Sequence, residues 1–522
     1  MVVIDKERRL IIAHSATPEK IKTVIPSART FTYKGRELLA IPHKLMECIQ
    51  LHNLGIQVPS PILYYYNWPR SSKIPQPFQV QIDTAAFLTM NPAAFILNQI
   101  GTGKTLSMLW ALDYLRSEGF IRKALISAPL STLERTWGDE IFYNFNHLSF
   151  NILHGSKQRR IKKLHEDKDI YIINHDGTKV LKDELKKRDD IDLVAIDEVS
   201  MLRNRQADKW KIHHALVQKK LRWGATGTPI PEAPTDAYAQ CKLINPTFAP
   251  SYFREFREAT MMQISTYMWI PKPDALDKVY SMMQPSIRFT RDQCFDLPPV
   301  MHETKKADLT KQQSEMIKDL QNTMHAEFLN GEITAANEAV KLMKIVQFAG
   351  GVAYADDKKH YDIECKPRID ILKETIEQSD SKVIVFAPFT GMLDKLTAEL
   401  SKRWTVERID GSTTATKRNK VFGDFQNSDH PHIIVAHPQC MSHGLTLTAA
   451  STIIWYAPIN RNEIYEQANG RITRPGQTRS QLIFHIYCTE IERRIYERLE
   501  KKQKTQGLLL DMYSANDVQL TT

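Results

Sequence analysis

The sequence predicts an α/β protein. Two parallel-sheet lobes are separated by a helical insertion and preceded by a small N-terminal α+β module. Two observations carry this. Short apolar runs alternate with longer polar or helical stretches twice along the chain, once from residue 76 to about 245 and again from about 366 to 490, which is the pattern of a parallel sheet with crossover helices. Between them, residues 250–365 carry Gln, Lys, Met and Glu at helical spacing.

The elements follow in order. FTYKGRELLAI reads as two short strands around a Lys34-Gly35 turn, and HKLMECIQLHNLG as a helix stopped by Gly55. VPSPILYYYNWPRSSKIPQP, rich in proline and aromatics, reads as a linker. Tyr64, Tyr65, Tyr66 and Trp68 are expected to pack it onto the first lobe; the alternative is that they stack on unpaired bases or grip a junction. In the first lobe the strands are AAFIL, KALISAP, DIYIIN, LVAID and LRWGATG. In the second they are KVIVFAP, VERID, HIIVAH, TIIWYA and LIFHIY. The chain ends in a charged helix, IERRIYERLEKKQK, and a tail. The expected divisions are residues 1–72, 73–250, 251–365, 366–490 and 491–522.

Composition narrows the function. At 42% apolar and 25% charged, the 522 residues read as ordinary globular protein. The longest apolar stretch, LTLTAASTIIWYAPI, is too short and too polar for a spanning helix. The N-terminus lacks the pattern of a signal peptide. Six cysteines without CxxC pairs argue against a zinc site or disulfide framework and for a reducing cytosol. The net charge of +10 suggests a polyanionic partner. Residues 1–72 hold ten Lys/Arg and five Asp/Glu, half of that excess.

NQIGTGKT, residues 98–105, lies between the strand AAFIL and a helix with Leu106, Leu109, Leu112 and Leu115 on overlapping faces, stopped by Gly119. A strand, a glycine turn and a helix N-terminus make an anion site, because backbone N–H groups converge and the helix dipole favours negative charge. Gly101, Thr102 and Gly103 form the turn. Lys104 reaches terminal phosphates, and Thr105 ligates magnesium. The strict phosphate-loop pattern begins with glycine, and here Asn98 stands there. LVAIDEVS, residues 193–200, is an apolar strand ending in Asp197 and Glu198. Such a pair holds magnesium (Asp197, through water) and polarises an attacking water (Glu198).

From about residue 75 to 500 these elements, in order, resemble helicase superfamily two, and within it the Swi/Snf-type DNA translocases, most like the compact members encoded by bacteriophages. PFQVQIDTAAFL is similar to the adenine-reading glutamine motif. SAPLSTLERTW resembles the first strand-contacting motif, and GATGTPI the threonine motif linking ATP to DNA. RDQCFDLPPVMHETKKADLTKQQSEM resembles the Swi/Snf-specific insertion. KVIVFAPFTGMLDKL and ERIDGSTTATKRNKVFGDF resemble the opening of the second lobe. SHGLTLTAASTIIWY and QANGRITRPGQ resemble its glycine motif and final motif, the latter with Gln467, Arg471, Arg474 and Gln477 in the family spacing.

The resemblance implies two RecA-like lobes and a DNA-dependent ATPase that translocates on double-stranded or branched DNA and remodels it in replication, recombination or repair, with ATP and Mg2+ as cofactors. It places Gln81 on the base, Gly444 and Gln467 at the nucleotide, and Arg471 and Arg474, at i,i+3 spacing on one helical face, against the γ-phosphate when the lobes close. It assigns DNA contacts to Ser131, Thr132, Asn174, His175, Thr228, Phe389, Thr390, Ser442 and His443. Two departures stand out. Val199 and Ser200 replace the small residue and His that usually end the acidic box, and Gly470 and Thr473 replace the Asp and His of the final motif. The alternatives are a strand-separating helicase and an ATP-liganded nucleic-acid-binding module without motor activity. The expected form is a cytoplasmic monomer (host cytoplasm if phage-encoded), with replication or recombination proteins as possible partners and no membrane.

Overall fold

A computed structural model describes residues 2–14, 17–71, 76–265, 268–290, 293, 298–329, 335–354, 360–441, 446–474 and 476–501. The chain divides into two compact units, one holding the described residues up to 293 and the other those from 298 onward.

The first unit opens with a four-stranded antiparallel sheet in the order Val2–Asp5, Leu10–Ala13, Arg36–Pro42, Arg29–Tyr33. Lys34 and Gly35 both have positive φ, 47° and 74°, as a two-residue hairpin turn matching the strand twist requires. The helix Leu45–Asn53 ends before Gly55 (φ 79°) and packs Cys48 and Leu51 onto Ile11, Leu39 and Ile41. The first two strands were not expected: VVID and LIIA are only four residues each, paired with one another, and only LIIA joins Arg36–Pro42.

The linker aromatics pack inward. The Tyr66 hydroxyl donates to Asp113 Oδ2 at 2.6 Å, and the Trp68 ring meets Trp110 edge-on at 5.5 Å. Trp110 Nε1 donates to the Pro69 carbonyl at 2.8 Å.

The main sheet of this unit has seven strands, all parallel. Their order is Ser286–Ile287, Ala93–Ile96, Leu221–Ala225, Ile191–Asp197, Lys123–Ala128, Ile170–Asn174, Phe150–Ile152. The five strands expected for the first lobe are among them. Helices cover both faces of the sheet, so its strands read as continuous apolar runs rather than alternating ones. The helix Lys104–Ser117 is buried on every side from Leu106 to Leu115, where the sequence suggested an amphipathic helix.

The second unit holds a six-stranded parallel sheet in the order Val300–Lys306, Gln481–Tyr487, Ala450–Trp455, Lys382–Phe386, Ile433–Ala436, Val406–Ile409. All five strands expected for the second lobe are present. A buried ion pair anchors its C-terminal helix, residues 490–501. Arg368 Nη1 lies 2.8 Å from Glu492 Oε1 with both side chains fully buried, and Glu492 also accepts the backbone N–H of Cys488 and Thr489.

The stretch expected as a helical insertion, 251–365, is corrected in two places. Its helices are present: Phe253–Thr260, Ala275–Met282, Lys311–Leu329 and Ala335–Ala349. Ser286–Ile287, however, joins the first sheet and Val300–Lys306 the second, so the boundary between units falls inside the stretch. VMHETKK pairs with a strand some 180 residues onward, and a partner that remote leaves no local signal. Among the described residues, no helix is long and apolar enough to cross a membrane.

Candidate nucleotide and DNA site

Strand order assembles the first unit's site. Ala93–Ile96, Leu221–Ala225 and Ile191–Asp197 are neighbours, and Ala225 is in register with both Ile96 and Asp197. The glycine turn, the segment Thr226–Thr228 and the acidic pair therefore leave the same carboxyl edge side by side, where ligands bind in open parallel sheets.

The turn has the backbone its glycines supply. Gly101 (φ 93°) and Gly103 (φ 78°) are left-handed, and Gly103 is the N-cap residue of Lys104–Ser117. A Cβ at Gly103 would stand 1.9 Å from Nε2 of Gln81. Gln81 is buried, and its carbonyl accepts the Phe78 N–H at 3.0 Å. Thr102 donates its hydroxyl to the Gln99 carbonyl at 2.9 Å. Lys104 Nζ folds back on the carbonyls of Asn98 (2.8 Å) and Gln99 (3.1 Å). Thr105 lies half-buried in the first helical turn. Asn98 explains its own departure from the glycine pattern. Its side chain donates to Thr84 Oγ1 at 2.9 Å and accepts the Phe289 N–H at 3.0 Å, tying the loop to both neighbours.

Asp197 accepts from Trp137 Nε1 at 3.1 Å. Glu198 sits in left-handed backbone (φ 53°), a sparsely populated conformation for a non-glycine residue that aims its carboxylate between two hydroxyls. Thr226 Oγ1 donates to Glu198 Oε1 at 2.6 Å and Ser200 Oγ at 2.9 Å. Thr226 also accepts the Thr228 N–H at 3.0 Å. Burial pushes both carboxyls above the ordinary carboxylate range. The Trp137 bond and the Lys104 charge pull Asp197 back. For Glu198 the Thr226 bond pulls down, while the neighbouring Asp197 charge pushes up. Ser200, which replaces the usual histidine, thus has a role: it holds the glutamate. Trp137 and Thr226 escaped the sequence reading because their bonds depend on which strands are neighbours, and Ser200 because a serine two residues on carries no signal of its bond.

In the second unit, the helix Asn462–Asn469 carries Gln467, which is buried with its Nε2 lacking a hydrogen-bond partner among the described residues. The helix ends at Asn469, so Arg471 and Arg474 lie in the turns beyond it, which corrects their expected place on a helical face. They keep helical alignment all the same. Arg471 Nε donates to the Gln467 carbonyl at 2.8 Å and Arg474 Nε to the Gly470 carbonyl at 3.3 Å, each reaching back four residues. Arg471 is buried and Arg474 half-buried. Gln477 clasps the motif, donating to the carbonyls of Ala450 (2.8 Å) and Ile472 (3.2 Å).

Of the expected DNA contacts, Ser131 and Thr390 are exposed, and Asn174 and Phe389 are half-buried. Thr132, His175 and Thr228 are buried. Thr132 closes a turn on the Pro129 carbonyl at 2.9 Å. His175 bonds Ser127 Oγ at 2.7 Å, and the same hydroxyl meets His213 Nε2 at 2.7 Å. The Thr228 hydroxyl has no hydrogen-bond partner among the described residues. Ser442, His443 and Gly444 lie outside the described residues.

These residues fit ATP with magnesium. The turn is left-handed at Gly101 and Gly103, and a lysine and two acids meet at one sheet edge of the first unit. Such a site on such a sheet is that of an ATP-hydrolysing enzyme. The SNF2-related domain model matches residues 82–350 and the helicase conserved C-terminal domain residues 367–476; the chain belongs to the SNF2-related family. It is 24% identical over 446 residues to protein p41 of Acyrthosiphon pisum secondary endosymbiont phage 1, covering 79% of this chain and 93% of that one. The ATP-dependent DNA helicase DDM1 of Arabidopsis thaliana is 24% identical over 457 residues, 80% of this chain but 59% of its own. The chromatin-remodeling ATPase INO80 of Homo sapiens is 28% identical over 144 residues, 27% of this chain and 9% of its own. Among solved structures, the Sulfolobus solfataricus SWI2/SNF2 ATPase core in complex with dsDNA aligns with a TM-score of 0.40 at 22% identity, over 86% of this chain and 95% of that one. The chain thus spans most of the phage relative's length, and a little over half or less of the two eukaryotic ones.

Proposed function

We propose that this ATPase translocates along double-stranded or branched DNA and remodels forks or junctions, by branch migration or strand annealing, in replication, recombination or repair. The observation that carries the reading is the meeting of Lys104, Asp197, Glu198 and Thr226 at three adjacent strand ends. Phosphoryl transfer is catalysed by positioning and by neutralising charge on the transferred group, and these side chains are of the kind it needs. Lys104 exchanges its loop carbonyls for the terminal phosphates. Glu198, held by Thr226 and Ser200, orients the attacking water. Magnesium bound with ATP would neutralise phosphate charge, with Thr105 as a ligand and Asp197 holding it through water. Gln81 leaves the glycine turn to read the base, and Gln467 and Gly444 contact the nucleotide.

Arg471 and Arg474 supply positive charge to the γ-phosphate, a contribution worth roughly 10³–10⁵ in rate. Ser131, Asn174, Phe389 and Thr390 follow the DNA backbone, which gives motion without sequence preference. The protein acts as a monomer in the cytoplasm. The test is ATP turnover on single strand, duplex, fork, four-way junction and RNA: duplex and branched DNA should stimulate most, and equal or greater stimulation by RNA would contradict the reading.

A further inference from the structure

The second unit brings two histidines and a glutamate together outside the nucleotide machinery. His302 lies on the strand Val300–Lys306, His485 on its neighbour Gln481–Tyr487, and Glu500 on the C-terminal helix. Register puts His302 beside Ile483 and His485 beside Thr304. With a side-chain period of two, both imidazoles therefore emerge on the same face, and their rings stack 5.8 Å apart. One ligand atom from each of the three residues lies within 4.8 Å of the others.

His485 is fully buried, and its Nδ1 has no hydrogen-bond partner among the described residues. Burying a ring nitrogen unpaired is unfavourable, and such atoms call for an explanation. This one lies 4.0 Å from Glu500 Oε1. The other ring nitrogen, Nε2, lies 2.7 Å from the Tyr465 hydroxyl. With the proton on Nε2 and directed at that oxygen, the Nδ1 lone pair faces the glutamate. A metal-ligating histidine has its other nitrogen fixed in this way.

We propose that His302, His485 and Glu500 form a binding site for a divalent transition metal, with zinc the ion that two imidazoles and a carboxylate fit best. Zinc takes such ligands at about 2.0–2.2 Å, in a tetrahedron whose corners stand roughly 3.3 Å apart. His302 is exposed and Glu500 partly so, which leaves both free to close the present spacing by side-chain rotation. The fourth position falls to water. Magnesium and calcium prefer an all-oxygen shell and are disfavoured here. A bound ion would clamp the strand that begins the second sheet, the last strand and the C-terminal helix together. Tyr465, which orients the buried ligand, shares a helix with Gln467, so the clamp also steadies the helix leading to Arg471.

The experiment uses the full chain stripped of metal. Zinc is titrated in competition with a chromophoric chelator, cobalt is added as a spectroscopic substitute, and thermal midpoints are recorded with and without zinc. His302→Ala and Glu500→Gln are the variants, both at side chains with surface exposure. Expected are one zinc per chain, a tetrahedral cobalt spectrum, a zinc-dependent rise in midpoint, and affinity lower by at least about tenfold in each variant, whose metal-free midpoints stay near wild type. Absence of stoichiometric binding would overturn the site. So would equal affinity in wild type and both variants, which would mean that others of the 17 histidines hold the ion.

Discussion

Glu198 combines left-handed backbone with two hydroxyl donors, and each feature has a measurable consequence. Glu198→Gln should abolish ATP turnover while leaving nucleotide affinity within a few-fold, read by steady-state hydrolysis and fluorescent-nucleotide titration. Thr226→Val removes one donor and should lower kcat by about 10- to 100-fold with KM little changed, the pattern of an interaction that matters most in the transition state. His213 tests the buried relay through Ser127. Burial lowers its pKa to about 4, so the folded state keeps it neutral where the unfolded chain, near 6.5, already binds a proton. Stability should therefore be full above about pH 6.5 and decline as pH falls towards 4, by on the order of 3 kcal/mol from this residue. Urea midpoints at pH 7 and 4.5 should differ less in His213→Asn. Lys104 and the Asp197–Glu198 pair were legible in sequence because each belongs to a contiguous motif. Thr226 and Trp137 were not, because their bonds arise only once the strands take their order.

Among the elements, the glycine turn is the most sharply constrained. Gly103→Ala meets two obstacles: left-handed backbone, which disfavours a Cβ by about 1–2 kcal/mol, and the Gln81 amide in the space that Cβ would occupy. Nucleotide affinity should fall well over tenfold. Fluorescent-nucleotide titration checks it, and unchanged affinity would show that the turn tolerates a side chain there. Glu492→Ala leaves a buried guanidinium unpaired and should destabilise the second unit by about 3–5 kcal/mol, visible as an earlier denaturation transition. The ten strands expected for the two lobes were legible because buried parallel strands are continuous apolar runs. Val300–Lys306, with Glu303, Lys305 and Lys306, carries no such run and owes its strand to a remote partner. Gly470 ends the helix just before Arg471 and Arg474, and the helical spacing of the two arginines concealed that.

For the whole molecule, the account joins ATP hydrolysis to movement on DNA. A backbone-tracking surface making six to ten phosphate contacts should lose roughly 10³–10⁵ in affinity between about 50 and 200 mM salt. Filter binding or anisotropy across that range checks it, and a flat profile would count against backbone tracking. Arg471→Ala and Arg474→Ala should keep ATP binding and lose most DNA-stimulated turnover; loss of binding as well would return the two residues to a purely structural role. The central claim is translocation on duplex DNA without obligatory strand separation. Its most direct test is displacement of a third strand from a DNA triplex, run beside unwinding of a forked duplex under the same ATP conditions. ATP-dependent triplex displacement with little or no fork unwinding is the predicted result. Unwinding without triplex displacement would contradict it.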